Sequence, residues 1–156
     1  MIETGARAPD FTLPDQDGNP VSLSDFAGKT LVLYFYPKAS TSGCTVQACG
    51  VRDHLPNYAE AGAVVVGVSP DPVKAIKRFA ENESLDFTLL ADEDHAVCEA
   101  YGVWAEKSMY GRRYFGALRA TFVIAPDGIV AHVIPRVTPR THDDEVLAVL
   151  EQLAAA

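Results

Sequence analysis

Short apolar runs along this chain predict the strands of a sheet. Five runs qualify, at residues 31–36, 63–69, 87–90, 120–125 and 129–134. The first looks like a buried strand, and the second is continuously apolar and β-branched, a pattern typical of a strand that is covered on both faces of a sheet. The last two flank Pro126, Asp127 and Gly128, a turn signal that predicts an antiparallel hairpin.

Four further segments carry the spacing or the end signals of helices. We predict them at about residues 44–58, 72–83 and 94–101, and from residue 141 towards the C-terminus. Pro56 interrupts the first helix late. Asp71 and Pro72 are expected to form the cap and the first turn of the second helix. Gly102 is expected to end the third helix.

The last helix is predicted to be amphipathic. Thr141 and Asp144 resemble a capping box at its start. Four apolar residues recur at helical spacing and should face the core: Val146, Leu147, Leu150 and Leu153.

The segments outside this series are shorter or less regular. Residues 11–23 alternate and turn near Gly18, which predicts a short N-terminal hairpin. Ser24 is expected to cap a single helical turn that ends at Gly28. Residues 103–118 have no clean period and are predicted to be mostly loop.

This order of elements predicts an α/β sandwich in one domain spanning residues 1–156. Parallel strands in the first half need crossover connections, and the closing hairpin adds antiparallel strands. The expected architecture is thioredoxin-like: a central mixed β-sheet flanked by helices, with an N-terminal β-hairpin in front.

Composition narrows the classes of function. The net charge of -8 argues against a nucleic-acid partner, which would favour a basic face. The N-terminal segment has no secretory signal, and no apolar stretch is long enough to cross a membrane. We therefore expect a cytoplasmic protein, in which three cysteines are more often catalytic, redox-sensing or packed than disulfide-bonded.

Cys44 is the first candidate for chemistry. It follows a buried strand and a small polar loop, and it falls near the first turn of the next helix. Unpaired backbone N–H groups and the positive end of the helix dipole stabilise a thiolate at such a position. The hydroxyl of Thr41 lies close enough in sequence to reach the sulfur or a bound oxygen, although Thr41 or Ser42 would also suit a helix cap.

Cys49 lies five residues after Cys44. Along an intact helix this spacing means a rise of about 7.5 Å and a rotation of about 140°, too far apart for a disulfide. If the two sulfurs pair, the first turns of the helix must unwind. The other interpretation is that Cys49 is a small packed hydrophobe. Core packing is the expected role of Cys98.

Arg119 heads a strand of β-branched and aromatic residues, where a charge needs a partner. Its guanidinium stays protonated and offers several donors, so it suits an anion such as a thiolate. The alternative is an ordinary strand-end arginine that faces water. The four histidines show no metal-ligand spacing with the cysteines, so we expect no metal and no cofactor.

The spacing Pro37-x-x-x-Thr41-x-x-Cys44 resembles the active-site motif of the peroxiredoxins. The wider stretch is similar to the bacterioferritin-comigratory-protein or Q-type branch of that family. The resemblance also covers residues 8–18, the strand before Pro37, and the strand that starts at Arg119.

The resemblance implies a role for each of these residues. Cys44 would attack the O–O bond of hydrogen peroxide or an organic hydroperoxide. Pro37 would shield the site from water, and Thr41 would hold the peroxide oxygen. Arg119 would stabilise the thiolate and the transition state.

The resemblance also implies how the cycle closes. Cys49 would resolve the Cys44 sulfenic acid as an intramolecular disulfide. Thioredoxin or glutaredoxin would then reduce that disulfide by exchange. We expect a monomer or a weak dimer.

Two positions depart from the family pattern. Ser42 stands where this branch commonly has proline, and Gln47 stands where relatives often carry glutamate. Both departures are expected to affect the rate of peroxide reduction and the preference for one peroxide over another.

Two other functions of the same fold stay open from the residues alone. A thiol–disulfide oxidoreductase would normally carry Cys-x-x-Cys, and a copper-binding assembly factor would need closer cysteines and a placed histidine.

Overall fold

The computed structural model describes residues 1–155. Its strands are β1 (Thr12–Pro14), β2 (Pro20–Ser22), β3 (Thr30–Phe35), β4 (Ala63–Ser69), β5 (Thr88–Ala91), β6 (Trp104–Met109), β7 (Arg112–Ala117), β8 (Ala120–Ile124) and β9 (Val130–Ile134). Its α-helices are α1 (Ser42–Asp53), α2 (Leu55–Glu60), α3 (Val73–Asn82), α4 (Ala96–Ala100) and α5 (His142–Ala155), and a 3₁₀ turn spans Leu23–Phe26.

A five-stranded mixed sheet forms the centre, in the order β5-β4-β3-β8-β9. β3 pairs in parallel with β4, and β4 in parallel with β5. β8 is antiparallel to both β3 and β9. β1 and β2 form the separate N-terminal hairpin. The predicted thioredoxin-like fold class is confirmed.

Alternating side chains of β3 contribute to two apolar layers, one on each face of the sheet, because successive residues of a strand point to opposite faces. Val32 and Tyr34 lie in one layer with residues of α1, α2, α3 and α5. Leu33 and Phe35 lie in the other layer with α4 and the N-terminal segment. The prediction of a buried strand at residues 31–36 is therefore confirmed, and α1 packs on one face of the sheet.

The predicted loop at residues 103–118 is wrong, because most of it is the hairpin β6–β7. Its turn residues, Tyr110 and Gly111, both have positive φ, at 52° and 77°. Tight hairpin turns of this kind use positive φ at both central positions. A tyrosine there is uncommon, and the exposed strands lack the apolar alternation that marks a half-buried strand.

Several helix boundaries differ from the predictions. Pro72, rather than Asp71, is the N-cap of α3, because the Asp71 carboxylate accepts the backbone N–H of Ala39 at 2.8 Å. The 3₁₀ turn is capped at Ser22 rather than Ser24. Leu153 is 40% exposed and does not face the core as predicted. The break between α1 and α2 falls at His54, just before Pro56, as expected.

The start of α5 contacts both α2 and the C-terminal half of α1. The buried Asp143 carboxylate accepts the Tyr58 hydroxyl at 2.6 Å. The same carboxylate lies against Gly50, where an added Cβ would overlap the Asp143 Oδ2 atom. Gly50 therefore gives the carboxylate the space in which it meets Tyr58.

We expect the substitution Gly50→Ala to lower the free energy of unfolding by about 1 kcal/mol. The methyl group would displace Asp143 and weaken its buried hydrogen bond. This loss should outweigh the gain of about 0.5–1 kcal/mol that alanine usually brings to a helix. Urea denaturation followed by circular dichroism measures the change.

The control is the same substitution in an Asp143→Ala background, where the methyl group no longer meets a carboxylate. There Gly50→Ala should be neutral or stabilising. An equal loss of stability in both backgrounds would contradict the steric explanation.

Candidate active site

Cys44 is the third residue of α1. The helical hydrogen bonds begin with the Thr45 N–H to the Thr41 carbonyl at 2.8 Å, so the amides of residues 42–44 precede the regular pattern. Such amides and the helix dipole favour an anion at this end. The Cys44 side chain is 1% exposed, while Thr41 and Ser42 beside it are exposed to solvent.

Arg119 lies across the same turn of α1. Its Nη1 donates to the Gln47 Oε1 at 2.7 Å. Its Nη2 lies only 3.2 Å from the point that a Cβ on Gly43 would occupy. Gly43 precedes Cys44, and Gln47 is three residues after it, so the guanidinium spans the helical turn that carries the sulfur. Arg119 therefore does not simply face water.

Gln47 connects this arginine to the interior. It is fully buried, and its amide Nε2 lies 3.4 Å from the His142 Nδ1. The His142 Nε2 lies 2.8 Å from the Thr121 Oγ1. An amide nitrogen only donates, so Nδ1 accepts, and Nε2 carries the proton that His142 donates to Thr121. The carboxylate common in relatives is absent, but the glutamine amide both accepts from Arg119 and donates to His142.

His142 is neutral in this arrangement. Burial lowers its pKa to about 4, and the charge of Arg119 contributes in the same direction. Neither His142 nor Thr121 was among the residues predicted for the site. Each is distant in sequence from Cys44, and neither belongs to the motif around it.

Aromatic side chains lie in the same apolar layer as Cys44. Cys44 shares an apolar cluster with Tyr34 and Tyr36, whose ring centroids are 5.5 Å apart. Burial is the main cause that raises the pKa of both phenols, so they stay neutral near neutral pH. They therefore add no negative charge beside the sulfur.

Thr41 and Pro37 border the first turn. Thr41 has the extended backbone of an N-cap, but its side chain makes no capping hydrogen bond. Instead its hydroxyl donates to the Lys38 carbonyl at 2.8 Å. The proton of Thr41 is thus engaged, and the lone pairs of its oxygen can accept a further hydrogen bond. Pro37 is half-buried and follows the last residue of β3 by two positions.

Cys49 lies further along α1 and does not face Cys44. Its Sγ is 3.9 Å from the Glu83 Oε2. Partial burial raises the pKa of the Cys49 thiol; Arg52 opposes this, and Glu83 adds to it. α1 is continuous across both positions, and all three cysteines are free.

Cys98 is confirmed as a core residue. It is fully buried in the apolar layer on the other side of the sheet, where burial raises the pKa of its thiol.

Lys107 lies near the site, although the prediction of a loop at residues 103–118 gave no reason to expect it there. It lies on β6, half-buried, and its amine donates to the carbonyl of Ala117, two residues before Arg119. Burial lowers the pKa of Lys107 and the charge of Arg119 lowers it further, while Cys44 acts in the opposite direction.

Within residues 1–155, no cluster of three or more His, Cys, Asp or Glu side chains is arranged to hold a metal ion. Across the same residues, no helix combines the length and the apolarity that crossing a membrane requires.

The chain is similar to known proteins over nearly its whole length. Residues 4–133 match the model of the AhpC/TSA family. Peroxiredoxin Bcp of Escherichia coli K12 is 50% identical over 153 residues, which are 98% of each chain. The crystal structure of peroxidoxin BcpB from Mycobacterium tuberculosis has a TM-score of 0.87 at 39% identity, over 97% of this chain and 98% of that one.

A structure of the Xanthomonas campestris bacterioferritin comigratory protein also has a TM-score of 0.87 at 39% identity, over 92% of each chain. This chain therefore belongs to the AhpC/TSA family. Within it the chain is a peroxiredoxin, an enzyme that reduces peroxides with a cysteine thiol and is restored by a thiol reductant. The predicted family and class of enzyme are confirmed.

The neutral state of His142 predicts a dependence of stability on pH. Its pKa is about 4 in the folded chain, against an ordinary value of about 6.5. Between these values the unfolded chain binds a proton and the folded chain does not. The free energy of unfolding should therefore fall as the pH drops from about 6.5 to 4, by up to about 3 kcal/mol from this residue.

The variant His142→Gln has no titrating group there and keeps a donor and an acceptor. Urea denaturation across this pH range should show a shallower loss of stability than in the wild type. Parallel curves for the two proteins would show that His142 does not stay neutral in the folded state.

Proposed function

We propose that this peroxiredoxin reduces hydrogen peroxide and organic hydroperoxides through Cys44, with Arg119, Thr41 and Pro37 as its partners. The observation that carries the proposal is the guanidinium of Arg119, which lies over Gly43 and bonds to Gln47 on either side of the cysteine. A fixed cation and free helix amides at one sulfur favour its thiolate, the form that reacts with peroxides.

The first step transfers oxygen to sulfur. The Cys44 thiolate attacks the terminal oxygen of the hydroperoxide, an S–O bond forms and the O–O bond breaks. The sulfur becomes a sulfenic acid, and the leaving oxygen takes up a proton as an alcohol or water. Arg119 donates hydrogen bonds to the developing negative charge. Thr41, whose own proton is engaged by Lys38, accepts the hydrogen bond of the hydroperoxide.

Pro37 limits the access of water to this reaction. It is half-buried at the point where β3 gives way to the loop that leads to α1. Proline is rigid and has no backbone N–H. It can therefore line the site without donating a hydrogen bond to the peroxide.

Cys49 resolves the sulfenic acid as a Cys44–Cys49 disulfide with the release of water. In the intact helix the two Cα atoms are about 8–9 Å apart, beyond the range of a disulfide. α1 must therefore open locally, which breaks the bond between Gln47 and Arg119. The raised pKa of Cys49 keeps it largely a thiol until that opening moves it away from Glu83.

A dithiol donor, thioredoxin or glutaredoxin, then reduces the disulfide by exchange. The three free cysteines suit a reducing compartment such as the cytoplasm. The Xanthomonas campestris relative was studied for alkyl peroxide reduction, which supports organic hydroperoxides as substrates.

A monomer or weak dimer is proposed. The alternatives of a thiol–disulfide oxidoreductase and a copper-binding factor gain no support from the family match.

The test is single-turnover mixing with hydrogen peroxide, followed by the fluorescence of the single tryptophan, Trp104. Cys44→Ser should abolish the reaction, because no other sulfur has the helix terminus and the arginine. Cys98→Ser is the matched control and should react like the wild type. A wild-type rate no faster than that of a free thiol, or a fully active Cys44→Ser variant, would reject the proposal.

Cys49→Ser separates the two steps. This variant should still consume one equivalent of peroxide, because Cys44 is unchanged. It should lose turnover with thioredoxin as the donor, because no internal disulfide forms. Sustained turnover at the wild-type rate would remove Cys49 from the cycle.

A further inference from the structure

The side-chain amide of Gln47 has one orientation that serves both of its neighbours. Its Oε1 accepts from the Arg119 Nη1 at 2.7 Å, and its Nε2 lies 3.4 Å from the His142 Nδ1. A guanidinium only donates, so it needs the oxygen of the amide. With the amide turned over, two donors would face each other and the bond to Arg119 would be lost. Because Gln47 is fully buried, its amide would then be left unpaired.

His142 lies at the far end of this amide and either supports or opposes its orientation. An unprotonated Nδ1 accepts from the amide nitrogen and keeps the amide oxygen towards Arg119. A proton on that same Nδ1 would instead compete with Arg119 for the one amide oxygen. The bond between Gln47 and Arg119 therefore depends on where the imidazole of a third residue carries its proton.

The surroundings of His142 keep the proton on the other nitrogen. The His142 Nε2 lies 2.8 Å from the hydroxyl oxygen of Thr121, which is fully buried and accepts that proton. Burial and the charge of Arg119 lower the pKa of His142 to about 4, so the ring carries a single proton near neutral pH. With Nε2 protonated and donating, Nδ1 is left as an acceptor.

Two other titratable groups lie next to the imidazole. The phenol of Tyr34 on β3 has its ring centroid 5.5 Å away, and it stays neutral because burial raises its pKa. The carboxylate of Asp143, the next residue of α5, accepts from the Tyr58 hydroxyl and lies 3.7 Å from the His54 Nδ1. Among the described residues, neither group is hydrogen-bonded to the imidazole, so neither draws its proton to Nδ1.

We propose that His142 is a positioning residue of the peroxide-reducing site, whose unprotonated Nδ1 holds the Gln47 amide in the orientation that bonds to Arg119. This inference rests on the proposed function of Cys44, because that function assigns Arg119 to the reaction. His142 acts on the guanidinium through Gln47 and does not touch the peroxide.

Nitrogen-15 NMR of the imidazole rings tests the position of the proton without any peroxide. Near pH 7 the His142 ring of the reduced chain should be neutral, with Nε2 protonated and Nδ1 accepting a hydrogen bond. The His142→Asn variant identifies this ring among the four histidines by the loss of its signals. A His142 ring with its proton on Nδ1, or with both nitrogens protonated, would overturn the inference.

Rapid mixing with hydrogen peroxide, followed by the fluorescence of Trp104, tests the link to the site. His142→Leu removes the acceptor and leaves the Gln47 amide without a fixed orientation. The reaction should therefore slow about three- to tenfold near pH 7, the effect of losing one hydrogen bond. His142→Asn can place its side-chain oxygen where Nδ1 lies, so it should recover most of the rate.

Gln47→Glu is the background that separates positioning from packing. A carboxylate accepts through either oxygen, so it bonds to Arg119 without having to be oriented. His142→Leu should slow the Gln47→Glu variant by less than about twofold, whereas a mere loss of packing would slow both proteins alike. In the Gln47→Glu single variant the His142 ring should also take up a proton at Nδ1, because a carboxylate oxygen cannot donate to it.

Circular dichroism shows which variants fold. If His142→Leu does not, the ring spectra of the wild type and of Gln47→Glu still decide the question. Equal slowing by His142→Leu in both backgrounds, or a His142 spectrum that Gln47→Glu leaves unchanged, would overturn the inference. The expected spectra in a wild type that reacts no faster than a free thiol would support the arrangement of protons and reject the proposed function of Cys44.

Discussion

The placement of Arg119 across the first turn of α1 is the interaction on which the site depends. Its guanidinium bonds to Gln47 at 2.7 Å and lies against Gly43, so both sides of Cys44 are fixed relative to one positive charge. Hydrogen bonds through Gln47, His142 and Thr121 then connect that arrangement to α5 and β8. A bond to a charged donor contributes about 1.5–3 kcal/mol, enough to give the guanidinium one orientation.

In the proposed cycle the same helix has to be rigid for one step and open for the next. While Cys44 meets a peroxide, the bond of Gln47 to Arg119 and the contact of Asp143 with Gly50 keep α1 intact. A disulfide with Cys49 requires the first turns to come apart. Helix ends open at lower free energy than the whole fold, so the sheet and the second half of α1 can stay in place. In the proposed cycle, oxidation of Cys44 removes the negative charge that Arg119 stabilises, and this favours opening after the reaction.

The central sheet was predictable because β3 and β4 are apolar on both faces, whatever packs against them. The β6–β7 hairpin was not, because its strands are exposed and its turn places a tyrosine at positive φ. The same contrast holds at the site. Cys44 and Thr41 share one local segment, and Arg119 was found through its family resemblance. His142 meets Gln47, and Lys107 meets Ala117, only through tertiary packing, so no local pattern could reveal them.

The most direct test is to ask which sulfur meets the peroxide first. The chain is mixed with less than one equivalent of hydrogen peroxide, quenched by alkylation at short times, and its cysteines are mapped by mass spectrometry. If position rather than exposure governs reactivity, oxygen should appear first on Cys44, the sulfur that is 1% exposed, and a bond to Cys49 should follow. Oxidation that begins at the more exposed Cys49, or at Cys98, would contradict this account.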